Sequence, residues 1–211
     1  MTPSLPPLLV LTDRRQASAA GHTLTGVVGR AVEAGMRAVI LREKDLPVAE
    51  RAVLAGELGR RVAVSAGGTL LIASDASLAR KIGATGVHLA TRDPPVPRSS
   101  ALLVGRSCHD PQELDRAAAE GCAYATVSPV FETSSKPGYG PPIGLDGLHE
   151  LCERAPIPVY ALGGIGPGRA GPCLQAGAAG VAVMGAVMGA ADPGAVVRSL
   201  LEETTQTEEV S

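Results

Sequence analysis

The stretch IPVYALGGIGPGRAGPCLQAGAAGVAVMGA, residues 157–186, contains the structural unit that this chain repeats. A short apolar run, PVYAL, leads through a Gly-Gly pair into a longer segment of helical character, GRAGPCLQAGA, and a second apolar run, GVAVM, follows. Short apolar runs that alternate with helical segments are typical of parallel strands joined by helices. The stretch therefore predicts one strand–helix–strand unit of a parallel sheet.

Similar units occur on the N-terminal side of this stretch and continue to the C-terminal region. Eight of them favour a single α/β domain, a (β/α)₈ TIM barrel over residues 1–203 with a polar tail over 204–211, since a doubly wound sheet usually needs fewer strands. The fourth connection, PPVPRSS (94–100), is weak and predicts only a turn or a short helix. The predicted strands are LLVLT (8–12), AVILR (38–42), LLIA (70–73), GVHLA (86–90), LLVGR (102–106), YATVS (124–128), PVYAL (158–162) and GVAVM (180–184). The predicted helices are TGVVGRAVEAGM (25–36), VAERAVLAGELGRRV (48–62), ASLARKIGA (76–84), PQELDRAAAEG (111–121), LDGLHELCERA (145–155), GRAGPCLQAGA (168–178) and PGAVVRSLLEE (193–203).

Composition limits the classes of protein to which this chain can belong. Hydrophobic residues make up 45% of its 211 residues but aromatic residues only 2%, so Val, Leu, Ile and Ala must fill most of the core. A formal net charge of −2 argues against nucleic-acid binding, which needs a clustered basic surface. No apolar run is long enough to span a bilayer. We therefore expect a cytoplasmic protein without a nucleic-acid or membrane partner; small barrels often pair, so a homodimer is one state considered.

Polar residues and glycines cluster directly after the predicted strands, where (β/α)₈ barrels bind their ligands. Each residue alone has a simpler interpretation as a helix cap, a turn or a solvated side chain, but their common position favours a ligand site. They are Thr12 and Asp13, Arg42 to Lys44, Ser74 and Asp75, Asp93, Ser107 and His109, Thr133 to Lys136, Gly163 and Gly164, and Gly185.

Several of these segments resemble the thiamine-phosphate synthase family, in the same order and over nearly the full chain. The resemblance implies a (β/α)₈ barrel and an enzyme that joins an aminopyrimidine diphosphate to a thiazole phosphate, which yields thiamine phosphate and pyrophosphate. It rests on LTD (11–13), VILREK (39–44), SD (74–75), GVHLATRD (86–93), VGRSCH (104–109), SPVFETSSKPG (128–138), GLDGL (144–148), IPVYALGGI (157–165) and GVAVMGA (180–186).

Pyrophosphate as the leaving group requires groups that stabilise a departing anion. Arg42 offers a planar fork suited to phosphate oxygens, and Lys44 and Lys136 offer point charges. Thr133 and Ser135 add hydroxyl donors from one loop. The alternative is that the segment around Arg42 is the solvated start of a helix and the segment 133–136 a polar turn.

Asp75 and Asp93 are the candidate ligands of Mg²⁺. This ion takes one or two carboxylates together with water and phosphate oxygens, so two acids from neighbouring loops suffice. Alternatively, Asp75 or Ser74 caps a helix and Asp93 belongs to a turn before two prolines. Capping and metal binding can coexist.

The thiazole phosphate is expected where barrels often bind phosphate, after the seventh and eighth strands. Gly163 and Gly164 let backbone amides approach an anion, a helix N-terminus is expected after Ile165-Gly166, and Gly185 acts in the same way.

Ser107 and two histidines complete the sequence-based site. The resemblance points to Ser107 as the residue that orients the pyrimidine. His109 is either a site residue or a surface residue beside a helix. His88 is expected inside the barrel as a core histidine with its hydrogen bonds satisfied.

Three positions depart from the synthase pattern. Family members usually carry Gln at the position of Ile40, Asn at that of Ser74 and Ser at that of Gly185. Losing the partner of a buried polar group costs roughly 1–3 kcal/mol, enough to weaken or alter substrate choice.

Three other functions remain open at this point. The related thiazole tautomerase shares GRSCH-like and VFET-like runs but uses a histidine where this chain has Pro129. A barrel that only binds a thiazole or thiamine phosphate would account for the three departures. An isomerase of another kind would need an acid/base pair, for which Asp13 and Glu43 are the candidates.

Overall fold

The computed structural model describes residues 5–133 and 141–206. Eight parallel strands pair in chain order, and the eighth pairs with the first to close a barrel. The strands are β1 (Leu8–Leu11), β2 (Ala38–Leu41), β3 (Thr69–Ala73), β4 (Gly86–Leu89), β5 (Leu103–Cys108), β6 (Tyr124–Val127), β7 (Val159–Leu162) and β8 (Gly180–Val183). The helices are α1 (Arg14–Ala19), α2 (Leu24–Glu33), α3 (Val48–Val62), α4 (Ala76–Ile82), α5 (Pro111–Glu120), α6 (Gly144–Arg154), α7 (Ala170–Gln175), α8 (Gly185–Met188) and α9 (Pro193–Gln206).

The predicted (β/α)₈ barrel is thus confirmed. All eight predicted strands are present within two residues of their predicted ends, and all seven predicted helices are present. No helix connects β4 to β5, as the weak PPVPRSS pattern indicated. The sequence analysis missed α1 and α8, helices of six and four residues that each share a connection with a longer predicted helix, α2 and α9.

The last helix extends beyond the predicted end of the barrel at residue 203. Helix α9 continues to Gln206, and the side chain of Thr204 is buried and donates to the carbonyl of Leu201 at 2.9 Å. Residues 204–206 of the predicted tail are therefore helical, and 207–211 lie outside the described residues. Among the described helices, none is both long enough and apolar enough to cross a membrane.

The core has two layers because neighbouring residues of a strand point to opposite faces. Leu9 and Leu11 of β1 point into the barrel, whereas Leu8 and Val10 pack against the helices. Aliphatic side chains dominate the outer layer, as the composition requires. The centre of the barrel also holds Tyr124 and Tyr160, whose rings meet edge to face with centroids 5.5 Å apart. Two of the chain's few aromatic side chains therefore pack inside the barrel among the inward-facing aliphatic residues.

Candidate active site

A cavity of about 840 Å³ opens at the C-terminal ends of the strands. It brings together eight of the residues predicted from the sequence, namely Ile40, Arg42, Lys44, Ser107, Thr133, Gly163, Gly164 and Gly185. Ser74, Asp75 and Asp93 lie in the adjoining loops but do not line the cavity. Ser135 and Lys136 lie outside the described residues.

The cavity is much more cationic than the chain as a whole. Among the described lining residues are the cations Arg42, Lys44, Arg92 and Arg169, and the only carboxylate is Glu132. The chain carries a formal net charge of −2. A concave site lined by one sign of charge concentrates ligands of the opposite sign. The cavity therefore suits an anionic ligand.

The loop after β2 is held against neighbouring strands by polar contacts. The amide of Arg42 donates to the buried hydroxyl of Thr12 at 2.9 Å. The ammonium group of Lys44 lies 2.6 Å from the hydroxyl of Ser74, across the gap to the end of β3. Ser74 itself has a φ of 58°, a left-handed conformation that is unusual for residues other than Gly, Asn and Asp. These contacts fix the backbone of Arg42 and the ammonium group of Lys44, the two predicted cations of this loop.

Asp75 is confirmed as a helix cap. Its carboxylate accepts the amide of Leu78 at the start of α4 at 2.8 Å. The same carboxylate forms an ion pair with Arg51, a buried residue of α3. Two partners therefore hold Asp75 in one orientation beside the cavity.

Asp93 occupies a tight turn whose backbone is fixed by a buried arginine. Its carboxylate accepts the amide of Ala90 at 2.7 Å. One terminal nitrogen of Arg106, a fully buried residue of β5, donates to the carbonyls of Ala90, Thr91 and Asp93 at 3.0, 3.2 and 3.0 Å. The other terminal nitrogen pairs with Glu120 at 2.6 Å. The buried Arg106 side chain thus fixes the backbone of the turn that contains Asp93.

Both aspartates remain compatible with Mg²⁺, although neither belongs to a dense ligand cluster. No group of three or more His, Cys, Asp or Glu side chains suited to a metal ion occurs in residues 5–133 and 141–206. Each carboxylate oxygen accepts more than one bond, so a capping carboxylate keeps acceptor capacity. The two residues fit an ion that takes few protein ligands and completes its shell with water and substrate phosphate.

Ser107 is oriented by a hydrogen-bonded chain that runs into the barrel. Its hydroxyl lies 3.0 Å from Nε2 of His88, and Nδ1 of His88 lies 2.9 Å from the hydroxyl of Tyr124. Burial, together with the positive charge of Lys44, lowers the pKa of His88 to about 4. His88 is therefore neutral at physiological pH. The prediction of a satisfied core histidine is confirmed, and its ring also contributes to the cavity wall.

His109 contributes to the cavity and does not belong to the outer surface. It lines the cavity, and its Nδ1 lies 2.7 Å from the carbonyl of Ser128 in the loop after β6.

The loops after β7 and β8 present backbone to the cavity. Gly163 and Gly164 have φ values of 103° and 66°. Residues other than glycine rarely adopt this backbone conformation. A Cβ on Gly164 would collide with the carbonyl oxygen of Glu132 and come within 2.8 Å of the Cβ of Phe131. Only glycine allows the loops after β6 and β7 to approach this closely. Gly185 begins the short helix α8 after β8, a position where barrels often bind phosphate.

The prediction that a helix N-terminus after Ile165-Gly166 binds the anion is wrong. Helix α7 begins only at Ala170, and its first amides already bind a carboxylate from α9. Glu203 accepts the amides of Gly168, Ala170 and Gly171 at 2.7, 3.0 and 3.2 Å. The N-terminal amides of α7 are therefore occupied by the protein itself.

The acid/base pair considered for an isomerase is also occupied. Asp13 caps α1 by accepting the amides of Arg15 and Gln16 at 3.0 and 3.1 Å. Glu43 is buried and accepts the amide and a guanidinium nitrogen of Arg14 at 3.1 and 2.9 Å. Neither carboxylate lines the cavity.

Cations and glycine-built turns around one cavity at the C-terminal mouth are the features typical of (β/α)₈ barrels that bind phosphorylated ligands. The sequence profile described as thiamine monophosphate synthase matches residues 8–187. The chain therefore belongs to the thiamine monophosphate synthase family, as the resemblance of its motifs implied.

Individual relatives agree with this assignment. The thiamine-phosphate synthase of Roseiflexus castenholzii is 37% identical over 203 residues, which cover 93% of this chain and 87% of that protein. A bifunctional thiamine biosynthesis protein of Symbiobacterium thermophilum is 41% identical over 87% of this chain, which spans only 39% of that longer protein. The structure of thiamine phosphate pyrophosphorylase from Pyrococcus furiosus superimposes with a TM-score of 0.84 at 29% identity, covering 95% of this chain and 96% of the other.

Proposed function

We propose that the protein is a transferase that joins an aminopyrimidine diphosphate to a thiazole phosphate, with thiamine phosphate and pyrophosphate as products. The observation that carries this function is the cation-lined cavity at the C-terminal mouth of the barrel, in a chain that belongs to the thiamine monophosphate synthase family. Both substrates are phosphorylated, and the cavity suits two anions.

The reaction needs charge stabilisation more than acid/base chemistry. The bond between the pyrimidine methylene carbon and the diphosphate oxygen breaks, and its electron pair leaves with pyrophosphate. The thiazole nitrogen then supplies the electron pair of the new carbon–nitrogen bond. Arg42 and Lys44 stabilise the departing anion, assisted by Thr133 and by Ser135 and Lys136 outside the described residues. Ser107, held by His88, orients the pyrimidine.

The thiazole phosphate occupies the opposite side of the cavity in this proposal. The backbone of Gly163 and Gly164 approaches the phosphate, and Gly185 does so at the start of α8. Placing the two anions on different sides brings the thiazole nitrogen towards the pyrimidine carbon between them. Such positioning accounts for much of the rate enhancement in two-substrate reactions.

Mg²⁺ is part of the proposal, with Asp75 and Asp93 as the residues that hold it. The ion supplies positive charge to the diphosphate oxygens when it is bound. Both carboxylates are held in defined positions. Asp75 caps α4 and pairs with Arg51, and Asp93 lies in the turn that Arg106 fixes.

The departures from the family pattern bear on substrate choice. Ile40 is buried and lines the cavity, so an apolar contact replaces a polar one there. The tautomerase alternative receives no support at residue 129, where proline cannot act as an acid or base.

The test is formation of thiamine phosphate by the purified protein from the two substrates and Mg²⁺, with and without EDTA. Product that depends on the metal supports both the function and the ion. Product formation that is unaffected by EDTA supports the function and excludes Mg²⁺ from the proposal. A folded protein that forms no product, and converts no carboxythiazole phosphate to its isomer, supports a binding role instead.

We further propose a cytoplasmic homodimer, since small barrels often pair. Val48, Val53 and Val64, on and just after α3, are exposed apolar side chains that an interface would cover. Sedimentation at the mass of a single chain would contradict the dimer, and recovery in the membrane fraction would contradict the location.

A further inference from the structure

Arg169 is a cavity residue to which the sequence analysis assigned no role. It lies between Gly168 and α7, and its guanidinium carbon is 4.8 Å from the centre of the Phe131 ring. One terminal nitrogen donates to the carbonyl of Gly164 at 2.6 Å. The side chain thus bridges the loops after β6 and β7, where Gly164 allows their close approach.

These two contacts orient the guanidinium group before any ligand binds. A guanidinium has five N–H donors in a planar fork, and the bond to Gly164 uses one of them. Within the described part of the chain, Arg169 forms no salt bridge, because Glu203, the acid bound beside it, accepts the amides of the α7 N-terminus. Arg169 therefore keeps its charge and most of its donors for an anion in the cavity.

Among the described residues that follow β7 and β8 and line the cavity, Arg169 is the only one with a charged side chain. The other described lining residues from 162–167 and 182–186 are glycine, proline or apolar residues. Their amides can donate to an anion, but amides alone do not distinguish a dianion from a neutral hydroxyl as strongly as a cation does. Of the described residues after β7 and β8, Arg169 is therefore the one that can recognise the charge of an anion.

We propose that Arg169 is the specificity-determining residue for the phosphate group of the thiazole substrate. This inference rests on the proposed function. The guanidinium binds the phosphate while Gly163, Gly164 and Gly185 contribute backbone contacts, and it takes no part in the departure of pyrophosphate. The residue sets the preference for a phosphorylated thiazole over the corresponding thiazole alcohol.

The test compares Arg169→Gln with Arg169→Lys. Gln keeps a donor for the carbonyl of Gly164 but removes the charge, whereas Lys restores the charge without the fork. Arg154→Gln is the matched control, because Arg154 is exposed at the end of α6 and does not line the cavity. KM and kcat are measured with thiazole phosphate and with thiazole alcohol.

For Arg169→Gln we expect KM for thiazole phosphate to rise roughly 10- to 100-fold, as for loss of a charged hydrogen bond, with kcat and the KM for the diphosphate nearly unchanged. Activity with thiazole alcohol should stay at the wild-type level, and Arg169→Lys should recover part of the loss. Equal losses with both thiazoles, or an unchanged KM for thiazole phosphate, would overturn the inference.

Calorimetry separates this inference from the proposed function. If the wild-type protein forms no thiamine phosphate, the proposed transfer has failed, and the binding of thiazole phosphate and thiazole alcohol is measured directly. Weaker binding of the phosphate alone by Arg169→Gln would still support Arg169 as the phosphate-recognition residue. Equal binding of thiazole phosphate by wild type and variant would refute it.

Discussion

The two sides of the cavity mouth differ in the groups that they present: side chains on one side and backbone on the other. On the β2–β4 side, charged side chains line the cavity or lie in the adjoining loops and are bound to their neighbours, as in the pairs Lys44 with Ser74 and Asp75 with Arg51. On the β7–β8 side, backbone approaches the cavity, and left-handed glycines set its shape. On the β2–β4 side, one side chain can be removed without disturbing the fold. On the β7–β8 side, replacing a left-handed glycine changes the backbone conformation itself.

This difference predicts different responses to substitution. Changes on the β2–β4 side should reduce turnover at nearly constant stability. Changes to the left-handed glycines on the β7–β8 side should reduce stability and substrate binding together.

Arg42→Ala tests the side-chain side and has the largest expected effect. Removing a charge that stabilises a transition-state anion typically costs 100- to 1,000-fold in turnover, or roughly 3–4 kcal/mol. We expect such a loss in kcat, with little change in the melting temperature. Arg60→Ala, on the exposed face of α3, is the control. A kcat within threefold of wild type would remove Arg42 from the mechanism.

His88 is buried and lines the cavity, and we expect it to make the stability of the protein depend on pH. Its pKa is about 4 in the folded protein, lowered by burial from an unfolded value of 6.5. Between these values the unfolded chain binds a proton that the folded chain does not, so stability falls as pH falls from 6.5 towards 4. At roughly 1.36 kcal/mol per pKa unit the loss reaches about 3 kcal/mol.

Urea unfolding of wild type and His88→Gln at pH 7 and pH 4.5 measures this effect. The glutamine cannot titrate, so the free energy of unfolding of the variant should fall less than that of the wild type. The same decrease in both proteins would assign the pH dependence to other groups.

Gly164→Ala tests the backbone side against a matched glycine. Gly83 has nearly the same φ, 67° against 66°, but no atom lies within 4 Å of a Cβ placed there. Both variants should pay roughly 1–2 kcal/mol for the left-handed conformation. Gly164→Ala should cost about 2 kcal/mol more because its Cβ meets the Glu132 carbonyl. Chemical denaturation gives the two values, and equal costs would show that the close approach of the loops is not required.

Ser74→Asn has the smallest expected effect and sharpens the description of the side-chain side. Asn tolerates the left-handed φ of 58° better than Ser, so the free energy of unfolding should rise by less than about 1 kcal/mol. Ser77→Asn, in the helical part of α4, should not be stabilising. A lower stability for Ser74→Asn would indicate that the Lys44 contact outweighs the backbone preference.

Most of the fold could be predicted because its signals are local. Apolar runs with helical segments between them identified every strand, and the predicted helix 111–121 begins where α5 begins, with Asp110 accepting the amide of Glu113 at 2.8 Å. The short helices α1 and α8 were missed because each shares a connection with a longer helix, α2 and α9, whose signal is stronger. Arg92 and Arg169 were missed as cavity residues because each lies in a loop close to proline or glycine, in the runs TRDPP and GPGR, where a charged residue is expected to be part of a solvated turn.

The sequence by itself determined the order of the strands and the rim at which the polar residues gather, since all strands of a parallel barrel end on one face. Only the tertiary structure decided which partners hold these groups. Glu203 occupies the α7 N-terminus, Arg51 pairs with Asp75, and Arg106 fixes the turn of Asp93. These partners are distant in sequence, and closure of the barrel brings them within hydrogen-bonding distance.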